Sequence, residues 1–518
     1  MSLPDQFHRQ RGMVAQSKLE GLRVFLSGTN DAVAELIVLL RQLGVGNGGG
    51  KIGFHPEGTP IKNVFWKLMF PDTATLDDAS SKNDQVFNAV PFGELNPTQW
   101  DIRLDLNGVE SNQHADLYGR VNGPRAFVST EQIDSPTLVS KGHPLAPSLQ
   151  TATAAAMVER LLLQCAVATA VTVSDAWYTL TCRIETTNES EARAFVQGLG
   201  GEDLNLQPTS DGLATLARYR LHDPTLPNPF TQLKVAPLKK NTDPWSLDLG
   251  LLKWHEAQGE LDQVWEPRLQ EMLILGAGGL GSWSAPLLVE QFREGRIHLI
   301  DGDESIELHN LNRQVLYAEE HIGMPKASVA VQRLLDMNSN VEIIGYDEYL
   351  LPHHLDVDAS PDEACFDLDD TAIGNRLYAP LQQSRIYLAC LDNMRARTLL
   401  NEAAINFGNV MINGAGESSS GIVERFEGDE GCMVCRYGQD TAYALEVVSC
   451  TEEGKRPIAS IVTTTAWTGA MMSAYALLET KGLSGKHAGR MEWSQGAVLR
   501  KEVVGKPPWI DDACSSHI

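Results

Sequence analysis

The chain has 518 residues, 43% of them hydrophobic and 21% charged, and carries a formal net charge of −25 at pH 7. A single core stops growing at about 250–300 residues, so two to four domains of a soluble globular protein are expected. The acidic balance argues against nucleic acid and anionic membranes as main partners, because its long-range field would repel both. No run reaches the roughly 18 apolar residues of a membrane span, and the polar start MSLPDQFHRQRG does not read as a signal peptide. Eight cysteines are too sparse for a disulfide framework. A reducing cytoplasm is the expected location, with cysteines serving as core residues, metal ligands or nucleophiles.

The first predicted elements are LRVFLSG (22–28), a short apolar strand ending in glycine, and TNDAVAELIVLLRQLGVG, whose Val33, Leu36, Ile37, Leu40 and Leu43 have helical spacing. KIGFH, from Lys51, reads as a second strand. GLGGEDLNLQPTSDG, from 198, reads as a loop, and PLKKNTDPWSLDLG (237–250) as the boundary between two halves. The domains are therefore placed at 1–245 and 246–518.

The second half opens as the first does: EMLILG, then AGGLGSWSAPLLVEQFREG, then RIHLID. Its turn is GAGGLG (276–281), whereas the first copy has GTNDAV and keeps only Gly28. Asp31 puts a negative charge where phosphate would need an amide, so the first copy reads as a degenerate mononucleotide fold. Residues 352–380 form an acidic stretch of low periodicity, read as a surface insertion.

Gly276, Gly278, Gly279 and Gly281 make a glycine-rich strand-to-helix turn. Such a turn lets the backbone approach phosphate, which then rests on the amides of a helix N-terminus. Asp301 follows 20 residues after Gly281, at the place of a ribose-binding carboxylate. HNLNRQ (309–314) then adds amides and the Arg313 guanidinium, and IGMPK adds Lys326 at a helix start. IYLACLDN brings Asp392 to a strand end, a position suited to Mg²⁺. A hydride-transfer site has no need of these cations, whereas a phosphate-cleaving site does.

GAGGLG, the Asp301/Asp303 pair, NLNRQ, GMPK and LDN together resemble the ThiF/MoeB/E1 superfamily, whose members adenylate the C-terminal glycine carboxylate of ubiquitin-like proteins. The resemblance implies an α/β fold of two Rossmann-like, ThiF-type units forming a pseudo-dimer within one chain, each a mostly parallel sheet with flanking helices. It implies ATP and Mg²⁺ as ligands. Asp301 or Asp303 would bind ribose; Asn310, Arg313 and Lys326 would contact phosphates; Gln314 would support the site; Asp392 would hold Mg²⁺. It also matches Arg9 of FHRQRG to the arginine that reaches from one family half into the other's ATP site. The likeness covers about 255–518 well, the N-terminal β-α-β weakly, and most of 60–235 hardly at all.

Cys432-x-x-Cys435 and the terminal Cys514-x-x-His517 form two chelating pairs, enough for a closed, structural zinc site. Cys450 lies in the polar segment VVSCTEEGKRP, ahead of an apolar helix expected at 458–478. E1 enzymes carry their thioester cysteine in a similar crossover segment, so Cys450 is the expected nucleophile. The implied activity is adenylation of a ubiquitin-like protein, a thioester on Cys450, and transfer to an E2-like protein. Compact E1-like enzymes of this kind occur in bacterial operons, some of them antiviral. Three alternatives stay open: adenylation without a thioester, an NAD-dependent oxidoreductase, and a scaffold with a vestigial site.

Overall fold

Short apolar runs such as 272–275 and 386–389 form central strands buried on both faces. In the computed structural model, the described residues are 6, 7, 10, 16–108, 115–132, 142–165, 168–174, 177–184, 190, 202–209, 212–220, 246–253, 259–338, 340–355, 375–417, 420–428, 431–442, 461–487, 489–494 and 497–501.

The first unit contains β1 (Arg23–Gly28), β2 (Lys51–Phe54), β3 (Phe87–Ala89), β4 (Ile102–Leu106), β5 (Leu117–Asn122) and β6 (Arg125–Ser129). A separate antiparallel sheet holds β7 (Ala168–Ser174), β8 (Trp177–Ile184), β9 (Glu202–Thr209) and β10 (Gly212–Arg220), in the order β7-β8-β10-β9. Then β11 (Ser246–Asp248) pairs antiparallel with β6 and closes the first sheet, so three residues beyond the expected boundary still belong to that sheet. The second unit contains β12 (Glu271–Leu275), β13 (Gly295–Ile300), β14 (Val341–Tyr346), β15 (Ile386–Ala389), β16 (Val410–Glu417), β17 (Ser420–Phe426), β18 (Arg490–Ser494) and β19 (Ala497–Lys501).

The two large sheets repeat one topology. The first runs β3-β2-β1-β4-β5-β6-β11 and the second β14-β13-β12-β15-β16-β17-β18-β19. In each, four pairings are parallel, with the first strand of the unit in the middle. Antiparallel strands then extend one edge. The fold is therefore α/β, with two Rossmann-like units. In such sheets ligands bind beyond the strand C-termini, where the strand order reverses. That point lies between β12 and β15 in the second unit and between β1 and β4 in the first.

A glycine at the end of each first strand explains why the two end alike. Gly28 (φ +140°) and Gly276 (φ +100°) have left-handed backbone, and a Cβ on them would lie 1.9 Å from Leu106 O and 2.4 Å from Cys390 O. The chain can turn away from the sheet there only without a side chain.

The segment from 198 is corrected by the structure: Glu202–Thr209 is strand, not loop. It is the edge of its sheet, where polar residues and Pro208 are tolerated because one side of the ladder needs no partner. The acidic stretch at 356–374 lies outside the described residues. Among the described residues, no helix is long and apolar enough to cross a membrane.

The units meet through the helix Ala146–Cys165 of the first and the helix Val462–Thr480 of the second. Small buried residues, Ala152, Ala155 and Ala156 on one side and Ala466, Ala470 and Ala474 on the other, suit close helix approach. Thr463 Oγ1 donates to Glu159 Oε2 across this seam. Burial pushes the Glu159 carboxyl up to about 7, against the Thr463 hydrogen bond. Farther along, Arg125 Nη2 donates to Asp262 Oδ2 at 3.0 Å, and the Phe65 ring lies 4.5 Å from that of Trp283.

Candidate nucleotide site

The glycine loop leaves β12 at Gly276 and enters the helix Gly281–Gln291. Gly281 is fixed by close packing, since a Cβ there would sit 2.0 Å from Gly276 O. Gly278 differs: its nearest neighbour would be Gln314 Nε2 at 3.7 Å, so its backbone faces open space. A Cβ on Gly279 would meet Thr465 Cγ2 at 3.0 Å and Arg313 Cδ at 3.9 Å. The loop thus lies between NLNRQ and the threonine-rich start of the helix Val462–Thr480.

Asp301 follows β13. Its Oδ2 accepts from Ala277 N (2.6 Å) and its Oδ1 from Asp303 N (2.9 Å), which ties it to the glycine loop. Burial raises its pKa above the usual carboxylate range, while the nearby Lys326 charge opposes the shift. Asp303 is half-exposed and accepts from Lys326 Nζ and, at 3.1 Å, from Tyr349 OH. Burial would raise its pKa, but the Lys326 charge and these hydrogen bonds outweigh it and hold the group below its ordinary value. Asp301 has both oxygens engaged by backbone amides; Asp303 pairs with the lysine.

Lys326 opens the helix Lys326–Met337, with Pro325 at the N-cap. The proline needs no amide partner there. Tyr317 OH donates to Ala277 O (2.9 Å) and Lys326 O (3.3 Å), fastening that helix start to the loop. Arg313 is buried, and its Nη1 donates to His309 O (2.8 Å) and Asn312 Oδ1 (2.9 Å). Asn310 Oδ1 accepts from Glu307 N (3.0 Å). Among the described residues, Gln314 Oε1 is buried with no hydrogen-bond partner, an unmet acceptor beside the open Gly278.

Asp392 lies three residues past the end of β15 and is exposed. The turn before it is held by Arg397, which donates to Leu391 O and, at 2.6 Å, to Asn413 Oδ1. Cys390 is inert in this setting: burial pushes its thiol up to about 12, and its Sγ lies 3.5 Å from Ser284 Oγ. The structure thus brings Gly276, Gly278, Gly279, Gly281, Asp301, Asp303, Asn310, Arg313, Gln314 and Lys326 around one strand switch point, with Asp392 on the β15 side. Arg9 and Cys450 lie outside the described residues.

Cys432 caps the helix Met433–Tyr437, and its Sγ accepts from Cys435 N at 3.4 Å. The two buried sulfurs are 3.5 Å apart, near the roughly 3.8 Å expected for two thiolates on one tetrahedral Zn²⁺. Cys514 and His517 lie outside the described residues, and the described residues contain no group of three potential metal ligands.

Sequence reasoning missed Tyr349, Asn312 and Gln10. Tyr349 is 62% exposed, and a Cβ on Gly302 would lie 2.5 Å from its Cγ, so the ring covers the backbone between the two aspartates. Only the sequence distance to Asp303 concealed it. Gln10 sits next to the Arg9 position; it bonds to Gln16 and Leu43 of its own unit and accepts from Asn312 of the other.

Residues 262–491 match the ThiF family. A sulfur carrier protein adenylyltransferase from Thermus thermophilus is 30% identical over 235 residues, 42% of this chain and 72% of that protein. This chain belongs to the ThiF family. The adenylyltransferase and sulfurtransferase UBA4 of Meyerozyma guilliermondii is 32% identical over 183 residues, 35% of this chain and 37% of that protein. The match therefore spans under two-fifths of the UBA4 length. E. coli MccB crystallised with ATP aligns at 20% identity over 48% of this chain and 66% of its own, with a TM-score of 0.34.

Proposed function

We propose that this ThiF family member adenylates the C-terminal carboxylate of a small ubiquitin-like protein ending in glycine. The observation that carries the reading is the gathering of Arg313 and Lys326, with Asp301 and Asp303, around a glycine loop whose Gly278 face is open. ATP phosphates would rest on that loop, with Asp301 engaging ribose. Asp392 would hold Mg²⁺, which supplies charge neutralisation on the phosphates. A carboxylate oxygen bonds to the α-phosphorus and the bond to pyrophosphate breaks. The carboxylate is already ionised, so no side-chain base is needed, and Arg313, Lys326 and Arg9 offset the charge that develops on the leaving group.

In the second step the Cys450 thiolate bonds to the acyl carbon and AMP leaves, giving a thioester for transfer to an E2-like protein. The degenerate first half would supply Arg9 and architecture. Cys432, Cys435, Cys514 and His517 would hold a structural zinc ion. An antiviral bacterial conjugation system is the setting in which such a compact enzyme fits.

The names of the relatives, an adenylyltransferase and sulfurtransferase and a sulfur carrier protein adenylyltransferase, favour a second reading in which the acyl-adenylate goes to sulfur transfer and no Cys450 thioester forms. Exchange of labelled pyrophosphate into ATP with a glycine-tailed carrier tests the first step. Tight NAD binding with no exchange would refute it. Cys450→Ala should keep the exchange under both readings and abolish a thiol-labile carrier adduct only under the first.

A further inference from the structure

The first unit reaches into the nucleotide site through a chain of buried amides. The helix Asn30–Gln42 ends with Leu43 at its C-cap, and Leu43 O is one of the carbonyls a helix end leaves without an intrahelical donor. Gln10 Nε2 donates to Leu43 O (3.2 Å) and to Gln16 Oε1 (2.7 Å). Gln10 Oε1 accepts from Asn312 Nδ2 (3.4 Å), and Asn312 Oδ1 accepts from Arg313 Nη1 (2.9 Å). Gln10 and Asn312 are both fully buried.

The direction of this chain is fixed at both ends. Leu43 O accepts only, so the Gln10 NH₂ must face it and the Gln10 oxygen must face Asn312. The guanidinium donates only, so the Asn312 oxygen must face Arg313 and its NH₂ must face Gln10. Reversing either amide would set donor against donor and acceptor against acceptor in a buried place. The main chain of Arg313 is held from the same unit by a second route. Trp283 Nε1 donates to Arg313 O (2.9 Å), and Phe65 of the first unit packs on the Trp283 ring at 4.5 Å.

We infer that Gln10 is a positioning residue: through Asn312 it lets the first unit set the orientation of the Arg313 guanidinium in the second. The role of Arg313 toward phosphate rests on the adenylation reading; the relay itself does not. A degenerate half is thereby retained as a brace for the active one.

Titration calorimetry of the full chain with Mg²⁺ and the non-hydrolysable AMPCPP, beside adenosine, tests this. Gln10→Leu should weaken AMPCPP by about fivefold to tenfold, the scale of one hydrogen bond, and leave adenosine unchanged. Leu43 O keeps a donor in this variant, because Gln16 Nε2 also reaches it at 3.0 Å. Asn312→Ala should give the same selective loss, and the double variant no further loss. Equal weakening of both ligands, or additive losses, would overturn the inference in favour of packing alone. The Arg313 Nε–H NMR signal, assigned by its disappearance in Arg313→Lys, should move in ligand-free Gln10→Leu. An unmoved signal overturns the relay even if nothing binds, whereas wild-type failure to bind AMPCPP refutes only the adenylation reading.

Discussion

Replacing Glu159 by glutamine isolates the cost of a buried carboxyl at the seam between the units. Glu159 is 2% exposed and accepts a hydrogen bond from Thr463 of the partner helix. Burial raises its pKa from 4.5 to about 7. The folded state therefore holds a proton that the unfolded chain releases near 4.5, so this contribution to stability is full below pH 4.5 and is lost as pH rises through 7. The shift corresponds to roughly 3 kcal/mol. Glutamine keeps the shape and an acceptor for Thr463 and cannot ionise. At pH 5 the variant should melt close to wild type. At pH 8 it should be more stable by up to about 3 kcal/mol, or about 6 °C for a unit of some 250 residues. Thermal scans of both proteins from pH 5 to 8 read this directly. A difference between the two that stays constant across that range would show that Glu159 does not titrate with folding, and would refute the placement of an acid in the seam.

Gly276→Ala should cost several kcal/mol or prevent folding, because φ +100° and Cys390 O at 2.4 Å leave no room for a methyl; Gly278→Ala should fold normally, as circular dichroism melting would show. Cys390, with its thiol pushed up to about 12 and buried, should resist iodoacetamide at pH 8 in the folded protein and react only in denaturant, as read by mass spectrometry. Purified protein should carry one equivalent of zinc by elemental analysis, and Cys432→Ser should lose it together with several degrees of thermal stability. Lys326→Ala frees Asp303 of its ion pair, and the Asp303 pKa should rise toward the ordinary carboxylate range in a carboxyl NMR titration.

Local chemistry made much of this protein legible in its sequence. The strand–glycine–helix pattern is carried by neighbouring residues, so the two Rossmann-like openings at Arg23 and Glu271 and the loop at Gly276 could be read directly. So could the separation of Asp301 and Lys326 by one β-α step. Edge-strand status is not local: Glu202–Thr209 looks like a loop because its polar residues make sense only once one side of the strand has no neighbour. The same holds for the seam and for the Gln10–Asn312 contact, which joins residues 302 positions apart. Residue type and spacing marked the glycine loop, the two aspartates and the cations as candidates for one site. Only tertiary packing decided which of those groups are held, by whom, and at what pKa, because burial and hydrogen-bond direction depend on what the rest of the chain places around them.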